Sequence, residues 1–213
     1  MAMFFTSRVD LRQGFMNARA EAIEDYGELE RGLASLFAGM IGTSERIGHL
    51  IFFRMVNTRS RLAVMEELVR VKTPESRAFF SSLSKLIGQC DTDRNKVIHW
   101  GVMQKATIRG NGRIDSEIVL SNTTSPPGEG GEFSVEEMDQ FAEKCFFVGR
   151  NAHEFARIRF PQPTVKYTHW GDEREAWLQT FRGPITHPPS ADHPLFQTLE
   201  IRKAQRQSAS ERP

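Results

Sequence analysis

Apolar residues recur at three- and four-residue steps through the first part of the chain: Ile23, Tyr26, Leu29, Leu33, Leu36, Phe37 and Met40. That spacing predicts one face of an amphipathic helix from about Ala18 to Met40. Gly42 can close it, and Thr43 or Ser44 can cap the next element. From Ser44 to about Val71 the pattern predicts a second long helical stretch with a bend near Asn57-Thr58. Its first half, GHLIFFRMV, is apolar nearly all round and is expected to be buried. Its second half alternates Arg59, Arg61 and Arg70 with Leu62, Met65, Leu68 and Val69. Pro74 suits the first turn of a third helix, which points Phe79, Phe80, Leu83, Leu86 and Ile87 inward. Gly88 is a point of interruption there, and Asp91 or Asp93 can cap a continuation through His99.

Past Gly101 the period changes. VMQKATIR and RIDSEIVL flank Gly110-Asn111-Gly112, which predicts a β-hairpin at about 102–121. SNTTSPPGEGGE reads as a loop. Ser134 with Glu137 forms a capping box, and the helix it opens runs to about Phe160, burying Met138, Phe141, Cys145, Phe146, Ala152, Phe155 and Ile158. The remainder is proline-rich and polar. A short helix around Asp172–Phe181 carries Trp177 and Leu178, and an extended or disordered tail is expected beyond Pro184. The expected fold is therefore mainly α: a bundle of four to five helices with an inserted hairpin over 1–160, then a tail over 161–213.

Composition narrows the function. A chain of 213 residues suits one domain with appendages, and a formal net charge of +1 gives no global field for coating nucleic acid, so any such site must be local. Cys90 and Cys145 lie far apart, without disulfide or zinc spacing, and read as two reduced, packed thiols. No segment is long and apolar enough to span a bilayer, and the start of the chain lacks the pattern of a secretory signal. The cytoplasm is the expected compartment.

The candidate chemistry sits at the end of the third helix, in DTDRNKVIHWG. Arg94, Asn95 and His99 bring a strong cation, a carboxamide and a titratable imidazole together on ordered backbone. Histidine moves protons near neutral pH, and arginine holds phosphate oxygens bidentately. At about 100° per residue, Asn95 and His99 share a helix face, whereas Arg94 and His99 diverge by roughly 140°. One helix therefore does not aim both groups at one phosphate. A two-fold dimer apposing two such helices would gather two arginines and two histidines in one cleft. Such a cleft can cleave RNA by attack of a 2′-hydroxyl on its own 3′ phosphate, with His99 as general base or acid and Arg94 stabilising charge on the phosphoryl oxygens. Neither metal nor cofactor is required. The Arg182–His187 pair has the same separation, but Gly183-Pro184 breaks any helix between them. His49, His153, His169 and His193 show no ligand spacing.

RNKVIH, closing a helix in an otherwise helical chain, resembles the signature of the HEPN family (higher eukaryote and prokaryote nucleotide-binding domains). The signature is an arginine, a polar residue, a few positions and a histidine, and the likeness covers roughly 15–160. It implies a helical bundle, a homodimer and, as in many members, metal-independent endoribonuclease activity of a toxin or antiviral effector. Arg94, Asn95 and His99 are the residues carried over. Many relatives work beside an antitoxin that modifies a tyrosine two places after the histidine; here that place is Gly101, so a cognate antitoxin or regulatory protein would act by another route.

Other readings compete. Arg54, Arg59 and Arg61 can line an RNA path or form a solvated helix face. Arg94 can pair with Asp91 or Asp93 while His99 only complements the helix dipole. In that case the chain is a non-catalytic dimerisation or partner-binding module whose tail recruits a partner through Trp170, Trp177 and Leu195-Phe196. A weaker possibility is a sensor that grips a nucleotide phosphate without breaking it.

Overall fold

The computed structural model describes residues 8–110, 114–122, 124, 131–161 and 173–210. Helix α1 (Arg8–Ile41) is the spine. Its stripe of Tyr26, Leu29, Leu33, Leu36, Phe37 and Met40 is buried as the period requires, while Ile23 remains 44% exposed. Gly42 closes the helix at φ 70°, a left-handed conformation that glycine adopts without a Cβ clash.

The second helical stretch is two helices, α2 (Glu45–Arg54) and α3 (Thr58–Lys72), divided at the expected bend. Asn57 caps α3, its side chain accepting from the Ser60 amide at 2.8 Å. The expectation that GHLIFFRMV is buried throughout fails. Only Gly48 and Phe52 are buried in α2, while Ile47, Leu50, Ile51 and Phe53 are exposed and Val56 is 93% exposed. The reason is geometric: α2 lies on α1 through a single face, so its outer side has no partner among the described residues.

A 3-10 turn (Pro74–Ser76) leads into α4 (Arg77–His99). This helix passes through Gly88 without a break, so neither Asp91 nor Asp93 acts as a cap. Phe79, Phe80, Leu83, Leu86, Ile87 and Cys90 face the core. Strands β1 (Gly101–Ile108) and β2 (Ile114–Ser121) form the antiparallel hairpin, with Gly101 opposite Ser121. Asn111 and Gly112 of its turn fall outside the described residues, as does most of the loop that follows. A short third strand, β3 (Glu132–Phe133), pairs with β2, where the composition predicts loop.

Helix α5 (Val135–Arg159) starts at the full Ser134–Glu137 capping box and packs along α1. The two approach closely where Gly32 meets Gly149: a Cβ at Gly32 would stand 3.1 Å from the Gly149 carbonyl oxygen. The predicted inward residues of α5 are buried, except Phe146, which is partly covered by the Arg202 guanidinium 3.9 Å from its ring centre. Both cysteines are buried and free; burial and a hydrogen bond with Cys90 push the Cys145 thiol up.

The tail departs furthest from the expected structure. Helix α6 (Glu173–Thr180) lies where the short helix is expected, but residues 196–210, expected to be extended, form helix α7 (Phe196–Ser210). Trp177, Phe181, Ile185, Leu195 and Leu199 are buried. Phe181 sits 4.9 Å from Phe79 and 5.0 Å from Phe155, ring centre to ring centre. Arg202 and Arg206 of α7 then reach Asp25 of α1 at 2.9 and 3.1 Å, and Arg206 also reaches Glu21 at 2.7 Å. Burial nevertheless raises the Asp25 carboxyl above its usual range, against both guanidiniums. The segment after α6 is thus a strap completing the core. Trp177 and Leu195 are committed inside the molecule rather than offered to a partner, while Trp170 falls outside the described residues.

Candidate functional site

The C-terminal turns of α4 are fixed from three sides. Val97 is fully buried and anchors the helix to the core. Arg19 of α1 donates from Nε to the Val97 carbonyl at 2.9 Å and from Nη2 to that of Ile98 at 3.2 Å. A cation there satisfies carbonyls that the helix end leaves without partners and complements its negative pole. One turn earlier, Asp91 accepts from the Tyr26 hydroxyl at 3.0 Å and the Thr58 hydroxyl at 3.1 Å, tying α4 to α1 and α3. Burial, then Asp91, pushes the Tyr26 phenol well up, so it remains a neutral donor.

On this support the three candidate residues divide as helical geometry dictates. Asn95 and His99 are exposed and share the outer face; Arg94 is half-buried and leaves the helix toward α1, its guanidinium carbon 5.8 Å from the Tyr26 ring centre. Its arm then turns back: Nη1 donates to Asn95 Oδ1 at 3.1 Å. The carboxamide therefore links the guanidinium to the face that carries the imidazole. No hydrogen bond joins Arg94 to His99, and the His99 ring has no hydrogen-bond or ion-pair partner among the described residues. Arg94 Nε is buried without a partner among them.

The pairing of Arg94 with Asp91 or Asp93 that the competing reading requires does not occur. Asp91 serves two hydroxyls, and Asp93 pairs with Lys96 at 2.8 Å and Lys144 at 3.6 Å. Lys96 also stands 5.0 Å from the Phe133 ring centre, bringing the β3 strand beside this end of α4.

The arginines suggested as an RNA path separate. Arg61 has a side chain only 13% exposed, bound to Glu30 at 2.9 Å, and its guanidinium carbon lies 4.7 Å from the Phe52 ring centre; it holds α2 and α3 to α1. Arg54 and Arg59 are exposed. Arg54 ends α2 beside its exposed apolar residues, whereas Arg59 opens α3 next to Thr58 and so lies close to Asp91.

The other histidines have separate tasks. His49 shares a hydrogen bond with Ser35 at 3.1 Å. His193 lies between Phe147 and Trp177, ring centres 5.0 and 5.6 Å away, and burial pulls it down to about 4. Sequence reasoning missed Arg19, Tyr26 and Thr58 as the groups that position the site. Tyr26 was legible only as a member of the α1 stripe, and nothing local marks the other two.

Comparison of the chain with protein-family models, with curated proteins and with solved structures finds no match.

Proposed function

We propose that this chain is a metal-independent endoribonuclease of the HEPN type, working as a homodimer. The observation carrying this reading is the arrangement on α4: an exposed imidazole, without a hydrogen-bond or ion-pair partner among the described residues, on the same face as Asn95, with the Arg94 guanidinium drawn to that carboxamide. The mobile proton carrier faces solvent, where a substrate can reach it, while the cation is held against α1.

In the proposed reaction His99 takes the proton of an RNA 2′-hydroxyl. The 2′-oxygen forms a bond to phosphorus, and the bond from phosphorus to the 5′-oxygen breaks. The electron pair leaves on that oxygen, which takes a proton from the protonated His99 of the second protomer. Arg94 stabilises charge building on the non-bridging oxygens. The products are a 2′,3′-cyclic phosphate and a free 5′-hydroxyl. A toxin or antiviral effector is the role that fits such an activity, with a cognate antitoxin or regulatory protein restraining it.

The test is RNA cleavage by the purified chain in excess EDTA, beside His99→Ala. The variant is expected to lose cleavage while keeping its melting temperature and dimer, because the ring makes no hydrogen bond or ion pair among the described residues. Equal cleavage by the variant would remove His99 from the reaction.

A second reading, a non-catalytic partner-binding module, is favoured by the face of α2 that the described residues leave uncovered. Ile47, Leu50 and Ile51 stand outward at three- and four-residue spacing, and contiguous exposed apolar surface of this kind marks interaction sites. This reading predicts stable association with no RNA turnover at all, and loss of association in Leu50→Glu.

A further inference from the structure

Helix α4 carries more than the catalytic turn on its outer face. At about 100° per residue, Ser81, Ser84, Lys85, Gly88, Asn95 and His99 fall within an arc of roughly 100°. Across the N-terminal half of that arc lies α3, and the two helices enclose an open groove of about 460 Å³, within the usual range for ligand sites. Its far wall includes Arg59, Leu62 and Ala63 of α3, and it ends at Thr58 and Asp91, one turn before Asn95.

Four features suit this groove to a polar, anionic strand. Arg59 and Lys85 are exposed and in no ion pair among the described residues. Of the groove's two carboxylates, Asp91 is engaged by two hydroxyls, and Glu66 lies two turns along α3 from Arg59, away from the His99 end. The Ser84 hydroxyl, on a residue 9% exposed, has no partner among the described residues. Gly88, finally, is a glycine in mid-helix, which costs about 1 kcal/mol relative to alanine. No atom lies within 4 Å of a Cβ built there, so packing does not call for it; the missing side chain leaves the floor open.

We propose that this groove is the substrate path: it holds the single-stranded RNA segment adjoining the scissile linkage, with phosphates on Arg59 and Lys85 and the chain leading along α4 to His99. Ser81 to His99 spans about 27 Å of helix, room for several nucleotides of single strand. The inference rests on the ribonuclease reading.

The test uses the full-length protein and a fluorescein-labelled single-stranded RNA dodecamer. Binding is measured by anisotropy across a salt series in the His99→Ala background, and cleavage kinetics in the parent background. Lys85→Ala and Arg59→Ala are each expected to take about 0.7 from the log–log salt slope, the value for one phosphate contact on a single strand. Gly88→Gln fills the floor and is expected to raise KM roughly tenfold with kcat within about twofold, the signature of lost uniform binding, while melting no lower than the parent. If the parent cuts RNA and all three variants keep its KM and salt slope, the groove is not the path, and the catalytic reading stands without it. If the parent neither binds nor cuts RNA, the reading of the site fails and the groove proposal falls with it.

Discussion

Two glycines offer the same chemical change with opposite consequences. A Cβ at Gly48 in α2 would lie 2.2 Å from Ala38 Cβ and 2.6 Å from Ala38 Cα, where carbon atoms need about 3.5–4.0 Å. Both partners are fixed to helix backbone, so no side-chain rotation relieves the overlap, and α2 must move off α1 by more than about 1 Å. That movement withdraws Phe52, 1% exposed and 5.9 Å from Phe37. Overpacking costs about 1–3 kcal/mol, and partial re-exposure of a buried phenylalanine adds to it, out of the ~1.5–3 kcal/mol that full burial is worth. Against this, alanine gains about 1 kcal/mol of helix propensity over glycine. Gly48→Ala is therefore expected to lose about 2–3 kcal/mol, combining those ranges. At Gly88 the space is empty, so Gly88→Ala keeps the propensity gain and should stabilise by about 0.5–1 kcal/mol. Urea unfolding followed by far-UV circular dichroism measures both. A Gly48→Ala protein as stable as the parent would refute the close α1–α2 crossing and the account of why only one face of α2 is buried.

The strap and the support of α4 are open to similar tests. His193 is held neutral at about 4 by burial, with Asp192 opposing, against an unfolded value near 6.5. The unfolded chain binds the extra proton first as pH falls, so stability present above about pH 6.5 declines toward pH 4. Partial exposure limits the loss to about 1–2 kcal/mol, and His193→Asn should flatten that part of the pH profile in urea titrations; an unchanged slope would count against a buried neutral imidazole. Arg206→Ala removes contacts to Glu21, Asp25 and the Asp139 carbonyl and should cost about 2 kcal/mol, below the buried-pair range because the guanidinium is partly solvated. Hydrogen exchange should then show α7 opening before the bundle, whereas simultaneous opening would contradict its role as a separate strap. Tyr26→Phe leaves Asp91 with Thr58 alone and should cost about 1 kcal/mol, read from denaturant midpoints; no change would mean the hydroxyl adds nothing to the placement of α4.

The elements that were legible in sequence are those whose apolar stripe meets a partner of matching length. The α1 stripe from Tyr26 to Met40 and the α5 stripe from Met138 to Ile158 lie against each other and, Phe146 apart, read correctly. In α2 the same apolar pattern misleads. Ile47, Leu50 and Ile51 are as apolar as Phe52, and hydropathy does not reveal which side of a helix has a neighbour. The strap was hidden differently. Prolines suggested extended chain, yet Leu195, Leu199, Arg202 and Arg206 form one helical stripe whose last two members face inward because Glu21, Asp25 and Asp139 of other helices lie opposite. No local signal shows that. At the site, the shared face of Asn95 and His99 and the divergence of Arg94 follow from helical geometry alone. The return of Arg94 to Asn95 depends on a rotamer, and Arg19, Tyr26 and Thr58 come from segments more than thirty residues away, so only the fold brings them into view.

In the proposed reaction an exposed imidazole acts on RNA whose own ribose supplies the nucleophile. End-group analysis of products from one mixed-sequence RNA, and from its copy with deoxyribose throughout, tests this most directly. The parent chain in EDTA is expected to yield 2′,3′-cyclic phosphate and 5′-hydroxyl ends from the RNA, to leave the deoxy copy intact, and to lose the reaction on His99→Ala. Cleavage of the deoxy copy, or 5′-phosphate ends from the RNA, would contradict it.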